Sequence, residues 1–179
     1  EVPCRVAAVY TTNAVQGAPI LVTKEHIQDG KAQAIVVNSG NANTCNADGI
    51  EVAEKMSAVC AKELGLENHD IVIASTGVIG QPLLLEPIEK AMPALCAGLS
   101  VENGTESAYA IMTTDTHPKE YATTFMVDGC TCTIGGMAKG SGMIAPNMAT
   151  MLSFVTSDVC ISNDCLKKAL TEVVNDTFN

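Results

Sequence analysis

The order of apolar and polar positions divides the chain into short apolar runs separated by turn-rich stretches. Val6–Tyr10 and Ile20–Val22 read as strands on either side of the turn-like TTNAVQGAP, and QAIVV (33–37) reads as a short buried strand ended by NSGNANTCNADG. A helix should follow, with Asp48 at its cap, Ile50, Ala53, Met56, Cys60 and Leu64 at helical spacing, and Gly65 as its stop. DIVIAS (70–75) reads as a strand running into TGVIGQP. Leu83–Leu99 carries a helical pattern broken by Pro87 and Pro93, each suited to a first turn, and Thr105–Thr113 is a second helical stretch. YATTFMV and CTCTIGG flank Asp128-Gly129, the sequence of a tight type I′ hairpin turn. TMLSFVTS follows as a strand, and Ser162 or Asn163 caps a last helix bearing Leu166, Leu170, Val173 and Val174. Helices interleave with strands, yet hairpins are present, so the pattern predicts mixed sheets with helices upon them rather than a purely parallel sheet.

Composition narrows this picture. The 179 residues suit one domain or a large part of a bigger one, and 47% hydrophobic against 17% charged residues is ample material for a core. Aromatics are 3% and Trp is absent, so that core must be aliphatic, Met and Cys. A net charge of −10 argues against a nucleic-acid or anionic-membrane surface, and no apolar run approaches the ~20 residues of a membrane span. Eight cysteines show no CxxC pair and no zinc-like spacing with histidine. They are expected to be reduced, mostly buried thiols in a cytoplasmic protein, with Cys130 and Cys132 on one strand face. The glycosylation-like NGT at Asn103 and NDT at Asn175 are then chance matches. The opening EVPCRVAAVYTTN reads like the middle of a strand and the last helix runs to Asn179 without a stop signal, so both ends are expected to continue in the natural protein.

Candidate chemistry gathers in a few segments. GSGMIA (140–145) fits a dinucleotide fingerprint formally, but strand-like residues stand where that motif needs a helix; GGMAKGSG has the composition of a phosphate loop without its Gly-Lys-Ser/Thr. His26, His69 and His117 read as surface residues without metal spacing. MAKGSGMIAPNMATMLSF spends Ala138, Gly140, Ser141, Gly142 and Ala145 on approaching Ala149-Thr150. Small residues let the backbone bend closely. Thr150 is therefore either the first residue of a strand or a nucleophile that cuts the bond after Ala149 and uses its own freed α-amine as base. ASTGVIG ends a strand at Ser75, so Thr76 and Gly77 are either an ordinary turn or donors to an oxyanion. IMTTDT (111–116) offers clustered hydroxyls at a helix end. Lys139 stands among glycines, to meet a substrate carboxylate or to point into water.

NSGNANTCNADG, IASTGVIGQPL, AIMTTDTHPK, GGMAKGSGMIAPNMATMLSF and VNDTFN together resemble the ornithine acetyltransferase family, the glutamate N-acetyltransferases of cyclic arginine biosynthesis, over nearly the whole chain. The resemblance implies a layered α/β/β/α fold of α+β class and a precursor that cuts itself between Ala149 and Thr150. Residues 1–149 would then be most of the α chain and 150–179 the start of the β chain, the two assembling as α2β2. It implies Thr150 as nucleophile, Thr76 and Gly77 as the oxyanion pair, and Thr113 and Lys139, with Thr150, as substrate contacts. It implies N-acetylornithine as donor and glutamate as acceptor. No metal or cofactor is implied, and acetyl-CoA enters only as a further donor in some members. An N-terminal-nucleophile aminopeptidase or amidase of related fold would use the same threonine and release the acyl group to water. Acceptor dependence separates the two.

Overall fold

The structure, a computed structural model, describes residues 3–141 and 151–178. In chain order its elements are β1 (Cys4–Arg5), α1 (Ala18–His26), β2 (Lys31–Ala32), β3 (Ala34–Asn41), α2 (Gly49–Leu64), β4 (Ile71–Val78), α3 (Glu86–Ala97), α4 (Gly104–Ala110), β5 (Lys119–Val127), β6 (Cys130–Lys139), β7 (Leu152–Ser157) and α5 (Asn163–Thr177). β3 and β4 form a parallel pair, β1 pairs antiparallel with β2, and β5-β6-β7 is an antiparallel sheet. Both kinds of pairing occur, as expected, but in separate sheets.

α1, α2 and α3 gather over one face of the parallel pair. Val22, Ala53, Met56, Cys60, Ala61, Ile71, Ile73 and Met92 form its buried cluster, aliphatic and sulfur-bearing as the composition requires. Ile71 and Ile73 lie two apart and face the helices together. The stripe on α2 holds at Ala53, Met56 and Cys60, while Ile50 at its start is 53% exposed.

The sharpest departure from expectation is α1, where Ile20–Val22 reads as strand but folds as helix. Pro19 sits in the first turn, and Ala18, Val22, Thr23 and His26 are buried at helical spacing. This helix does the work of a neighbouring strand. Thr23 Oγ1 donates to the Ile73 carbonyl at 2.7 Å and accepts from the Ile73 amide at 3.0 Å, and His26 Nδ1 lies 2.9 Å from the Ile71 carbonyl. Two side chains one helical turn apart thus satisfy alternate residues along the β4 edge that β3 leaves open. His26, expected at the surface, is buried for this reason. Its Nε2 lies 3.4 Å from Glu54 Oε2, which also accepts from Asn68 Nδ2 at 2.8 Å; Ser57 Oγ donates to Asn68 Oδ1 at 2.6 Å.

Other differences are smaller. Val6–Tyr10 is not a strand; Val6 keeps one bond to the Gly30 carbonyl, and Tyr10 lies beneath Lys24, whose Nζ is 4.9 Å from the ring centre. Burial pushes the Tyr10 phenol up to about 12. The expected break at Pro93 is absent: α3 begins at Glu86 with Pro87 in its first turn and runs through Pro93. α4 stops at Ala110, which leaves Thr113 in the turn beyond it. Cysteine burial is also overestimated from sequence, since Cys60 and Cys132 are buried, Cys96 is half-buried and Cys4, Cys45, Cys130, Cys160 and Cys165 are exposed.

The hairpin and the last helix form as expected. Asp128 and Gly129 both take positive φ, 48° and 81°, as a type I′ turn demands. Ser162 caps α5 by accepting the Cys165 amide. Arg5 Nη1 donates to the Ile161 carbonyl at 2.9 Å and Asn163 Nδ2 donates to the Gly30 carbonyl, so β1 and the turn before β2 are tied to the start of α5. The β5–β7 sheet is poorly covered: Tyr121 is 76%, Met126 63% and Val155 51% exposed.

Candidate active site

The site begins where the parallel strands end. Ser39 stands opposite Thr76 and Gly40 opposite Gly77 in the β3–β4 register. Gly77 has φ +130° and Gly40 φ +112°, and a Cβ on Gly77 would lie 2.2 Å from the Gly40 carbonyl carbon and 2.4 Å from its oxygen. The strands can approach this closely only with glycine at 77. Thr76 is 5% exposed, while Gly77 just beyond it is open. The carboxyl end of a parallel pair is also where open α/β sheets bind ligands.

The asparagine-rich segment after β3 is scaffold. Asn41 Nδ2 donates to the Gln81 and Pro82 carbonyls at 3.0 and 3.3 Å, and its Oδ1 accepts from the Asn43 amide at 2.8 Å. The buried Asn43 donates to the Gly49 carbonyl at 2.8 Å, and Asn46 Nδ2 donates to Gln81 at 2.9 Å. These bonds join the strand end, the first turn of α2 and the loop after β4.

Ser39 links this end to the next segment, since its Oγ donates to the Ala110 carbonyl at 2.7 Å, at the end of α4. There the chain turns through Thr113, which is exposed, into Asp115. Asp115 Oδ2 accepts from the Thr113 amide at 3.4 Å, and Oδ1 accepts from Lys119 Nζ at 2.6 Å and from the Gly140 amide at 2.9 Å. Gly140 follows Lys139, which is 5% exposed, with Nζ donating to the Gly140 carbonyl at 3.0 Å. A run of hydrogen bonds and strand pairing therefore connects Thr76 and Gly77 with Thr113 and Lys139. Lys139 does not point into water.

Asp115 carries no sequence signal beyond its place in MTTDT, among hydroxyls. Burial pushes its carboxyl up, but the Lys119 hydrogen bond, the Gly140 and Thr113 amides and the Lys119 charge outweigh that and hold it at about 2.

Lys139 ends β6 opposite Leu152, the first residue of β7, so residues 140–151 leave and re-enter the sheet at adjacent points. Ala149 and Thr150 belong to that connection and lie outside the described residues, as does most of GSGMIA. Gly135 and Gly136 form no phosphate loop but lie within β6; a Cβ on Gly136 would lie 2.7 Å from the Phe154 carbonyl oxygen of β7. Among the described residues no group of three His, Cys, Asp or Glu side chains is placed to hold a metal, and no helix is long and apolar enough to cross a membrane.

The fold is of the α+β class, and in it a parallel strand end, a hydroxyl-rich turn and a lysine are joined by strand pairing and hydrogen bonds. A family model described as the ArgJ family matches residues 1–179, and the chain belongs to that family. It is 48% identical over 180 residues to the arginine biosynthesis bifunctional protein ArgJ of Symbiobacterium thermophilum, covering 100% of this chain and 45% of that protein. It is 50% identical over 182 residues to the protein of the same name from Bacillus anthracis, covering 100% and 44%. The chain thus spans less than half the length of these relatives. Among solved structures, the arginine biosynthesis bifunctional protein argJ of Bacillus halodurans matches with a TM-score of 0.75 at 43% identity, covering 84% of this chain and 78% of that one. The ornithine acetyltransferase of Mycobacterium tuberculosis, solved with ornithine, matches with a TM-score of 0.68 at 29% identity, covering 79% and 76%.

Two outcomes follow from this geometry in the full-length protein. Gly77→Ala should prevent normal folding or cost several times more stability than Gly65→Ala, because position 65 has φ +67° but nothing within 4 Å of its Cβ. The Gly65 change should cost only about 1 kcal/mol, which denaturant unfolding of both variants measures. The Asp115 carboxyl, ordinarily near 3.8 and held at about 2, stabilises the fold fully above its ordinary value and loses that effect as pH falls through about 2. The contribution is roughly 2 kcal/mol near neutral pH. The stability gap between wild type and Asp115→Asn should therefore shrink below about pH 4, and an unchanged gap down to pH 2 would contradict it.

Proposed function

We propose that the whole protein is a glutamate N-acetyltransferase of arginine biosynthesis, which moves an acetyl group from N-acetylornithine to glutamate through an acetyl-Thr150 ester. The observation that carries the reading is the run of strand pairing and hydrogen bonds that joins Thr76, Gly77 and Thr113 to Lys139, the last residue of the strand from which the segment holding Ala149 and Thr150 departs. The names of the relatives support it: each is an arginine biosynthesis protein, and one solved structure is an ornithine acetyltransferase with ornithine. Nothing in the geometry favours an aminopeptidase or amidase instead.

Maturation comes first. Thr150 Oγ attacks the Ala149 carbonyl carbon, the acyl group shifts from nitrogen to oxygen, and water hydrolyses the ester. The Ala149 carboxylate is released and the Thr150 amine is free. Residues 1–149 become an α-chain portion and residues from 150 onward a β-chain portion, which stay together and associate as α2β2. Attack within one molecule benefits from proximity, worth several kcal/mol when the geometry is right.

Transfer then uses the same oxygen. Thr150 Oγ attacks the acetyl carbonyl of N-acetylornithine while the α-amine takes its proton. The Thr76 hydroxyl and Gly77 amide donate to the developing oxyanion, and the rigid end of β4 lets them do so without reorganising. The C–N bond breaks, the nitrogen of ornithine gains the proton, and acetyl-Thr150 remains. The amine of glutamate attacks this ester and leaves as N-acetylglutamate, restoring the hydroxyl. Lys139 and Thr113 bind the amino-acid groups the two substrates share, Lys139 through a carboxylate. Acetyl-CoA can load the same threonine by thioester exchange, and the chemistry needs no resident cofactor. The location expected for this biosynthetic reaction is the cytoplasm.

Thr150→Ala in the full-length protein should abolish both the cut and acetyl transfer, whereas Thr150→Ser should retain part of each. Intact mass and N-terminal sequencing decide it, and a normal cut in Thr150→Ala would refute the mechanism. Lys139→Met should raise KM about tenfold, with a smaller change in kcat, if it binds a carboxylate alike in ground and transition states. Steady-state kinetics with N-acetylornithine and glutamate test this, and unchanged constants would remove Lys139 from the site.

A further inference from the structure

Asp115 lies two residues after Thr113 and reaches across to the segment that carries Lys139. Its carboxylate is 3% exposed, yet three donors converge on it: the Thr113 amide, the Gly140 amide and Lys119 Nζ. The Gly140 peptide is held at both ends, its N–H by Asp115 at 2.9 Å and its carbonyl by Lys139 Nζ at 3.0 Å. The approach is close, for a Cβ at position 140 would stand 3.2 Å from Asp115 Oδ1.

Only an ionised carboxylate suits this place. It offers two acceptor oxygens, whereas an amide side chain would turn an NH2 group toward at least one of the donors. Bonds from N–H groups to a charged oxygen are also stronger than neutral ones, so they fix their donors more firmly. Lys119 balances the charge that burial would otherwise make costly. An ion pair serving stability alone would need Lys119 and no more. Here the same carboxylate also takes one backbone amide from its own turn and one from a segment distant in sequence, and each amide belongs to or adjoins a residue assigned to the substrate.

We propose that Asp115 is a positioning residue: by holding the amides of Thr113 and Gly140 it sets where Thr113 and Lys139 stand for the substrate. The inference rests on the reading of Thr113 and Lys139 as substrate contacts. Asp115 itself touches no reacting atom.

The test is Asp115→Asn in the full-length protein, with kcat counted per threonine that accepts an acetyl group. The expected result is a rise in KM for glutamate and N-acetylornithine on the order of 10- to 100-fold, with a smaller fall in kcat, the scale of a binding group displaced by about an ångström. A purely structural carboxylate would lower stability and the count of active sites and leave KM alone, so an unchanged KM overturns the inference. If Lys139→Met leaves KM unchanged, the reading of the site has failed. If Lys139→Met raises KM and Asp115→Asn does not, only the positioning role has failed. Should Asp115→Asn not fold, hydrogen exchange of the wild-type protein decides: the Gly140 amide should exchange as slowly as those of β6, and exchange at the rate of an open loop overturns the proposal.

Discussion

β4 is held along both edges by different means, and the candidate site depends on that. On one side β3 pairs with it in parallel from Ala34↔Ile71 to Asn41↔Val78. On the other, Thr23 and His26 of α1 take the places of strand neighbours at Ile73 and Ile71. A two-stranded sheet is marginal by itself. With its open edge satisfied by side chains and one face packed under three helices, this one becomes the rigid centre of the chain. Rigidity is carried to the strand end by the contact of Gly77 with Gly40, and a fixed strand end is what a preformed pair of oxyanion donors requires.

Much of this was legible in the sequence and some was not, for physical reasons. The β5–β6 hairpin, α2 and α5 announced themselves through period, caps and turn residues that agree with the tertiary fold. β3 and β4 did so in their apolar halves only: expected to stop at Val37 and Ser75, they stay paired to Asn41 and Val78, so Thr76 and Gly77 lie in a strand and not in a turn after it. α1 did not. Ile20, Leu21 and Val22 suit a strand, and the competing signal was the helical spacing of Ala18, Val22 and His26 behind Pro19. Tertiary contact overrode local preference because the helix supplies Thr23 and His26 to a strand edge, a role no local pattern encodes. The same contact explains why a histidine read as surface is buried. Pro93 shows the reverse: proline's usual place is a first turn, whereas α3 gives up one backbone bond there and continues.

The site divides along the same line. Thr76, Gly77 and Lys139 could be nominated from motifs, because a hydroxyl beside a glycine and a cation among glycines invite chemistry, whereas Thr113 stands in a cluster of hydroxyls from which only the family resemblance selects it. What joins them could not. Ser39 and Asp115 connect segments distant in sequence, to Ala110 and to Gly140. Each looks ordinary in its own neighbourhood. GGMAKGSG has the composition of a phosphate loop without its Gly-Lys-Ser/Thr, and Gly136 within it is small because the β7 backbone passes against it.

The register of β6 and β7 is compatible with the proposed cut between Ala149 and Thr150. The pairs run from Ile134↔Ser157 to Lys139↔Leu152, and the next pair beyond would fall in the connecting segment itself. That cut would fall within the connection, outside the ladder that pairs the described residues of β6 and β7. β7 remains paired to β6, and the last residues of β6 remain tied to Asp115 through Gly140. The new amine at Thr150 would then sit two residues ahead of a strand anchored in the sheet. An antiparallel pair whose two ends meet at Lys139 and Leu152 would thus hold β7 against β6 on either side of the proposed cut, and so keep the proposed nucleophile next to the strand that carries Lys139.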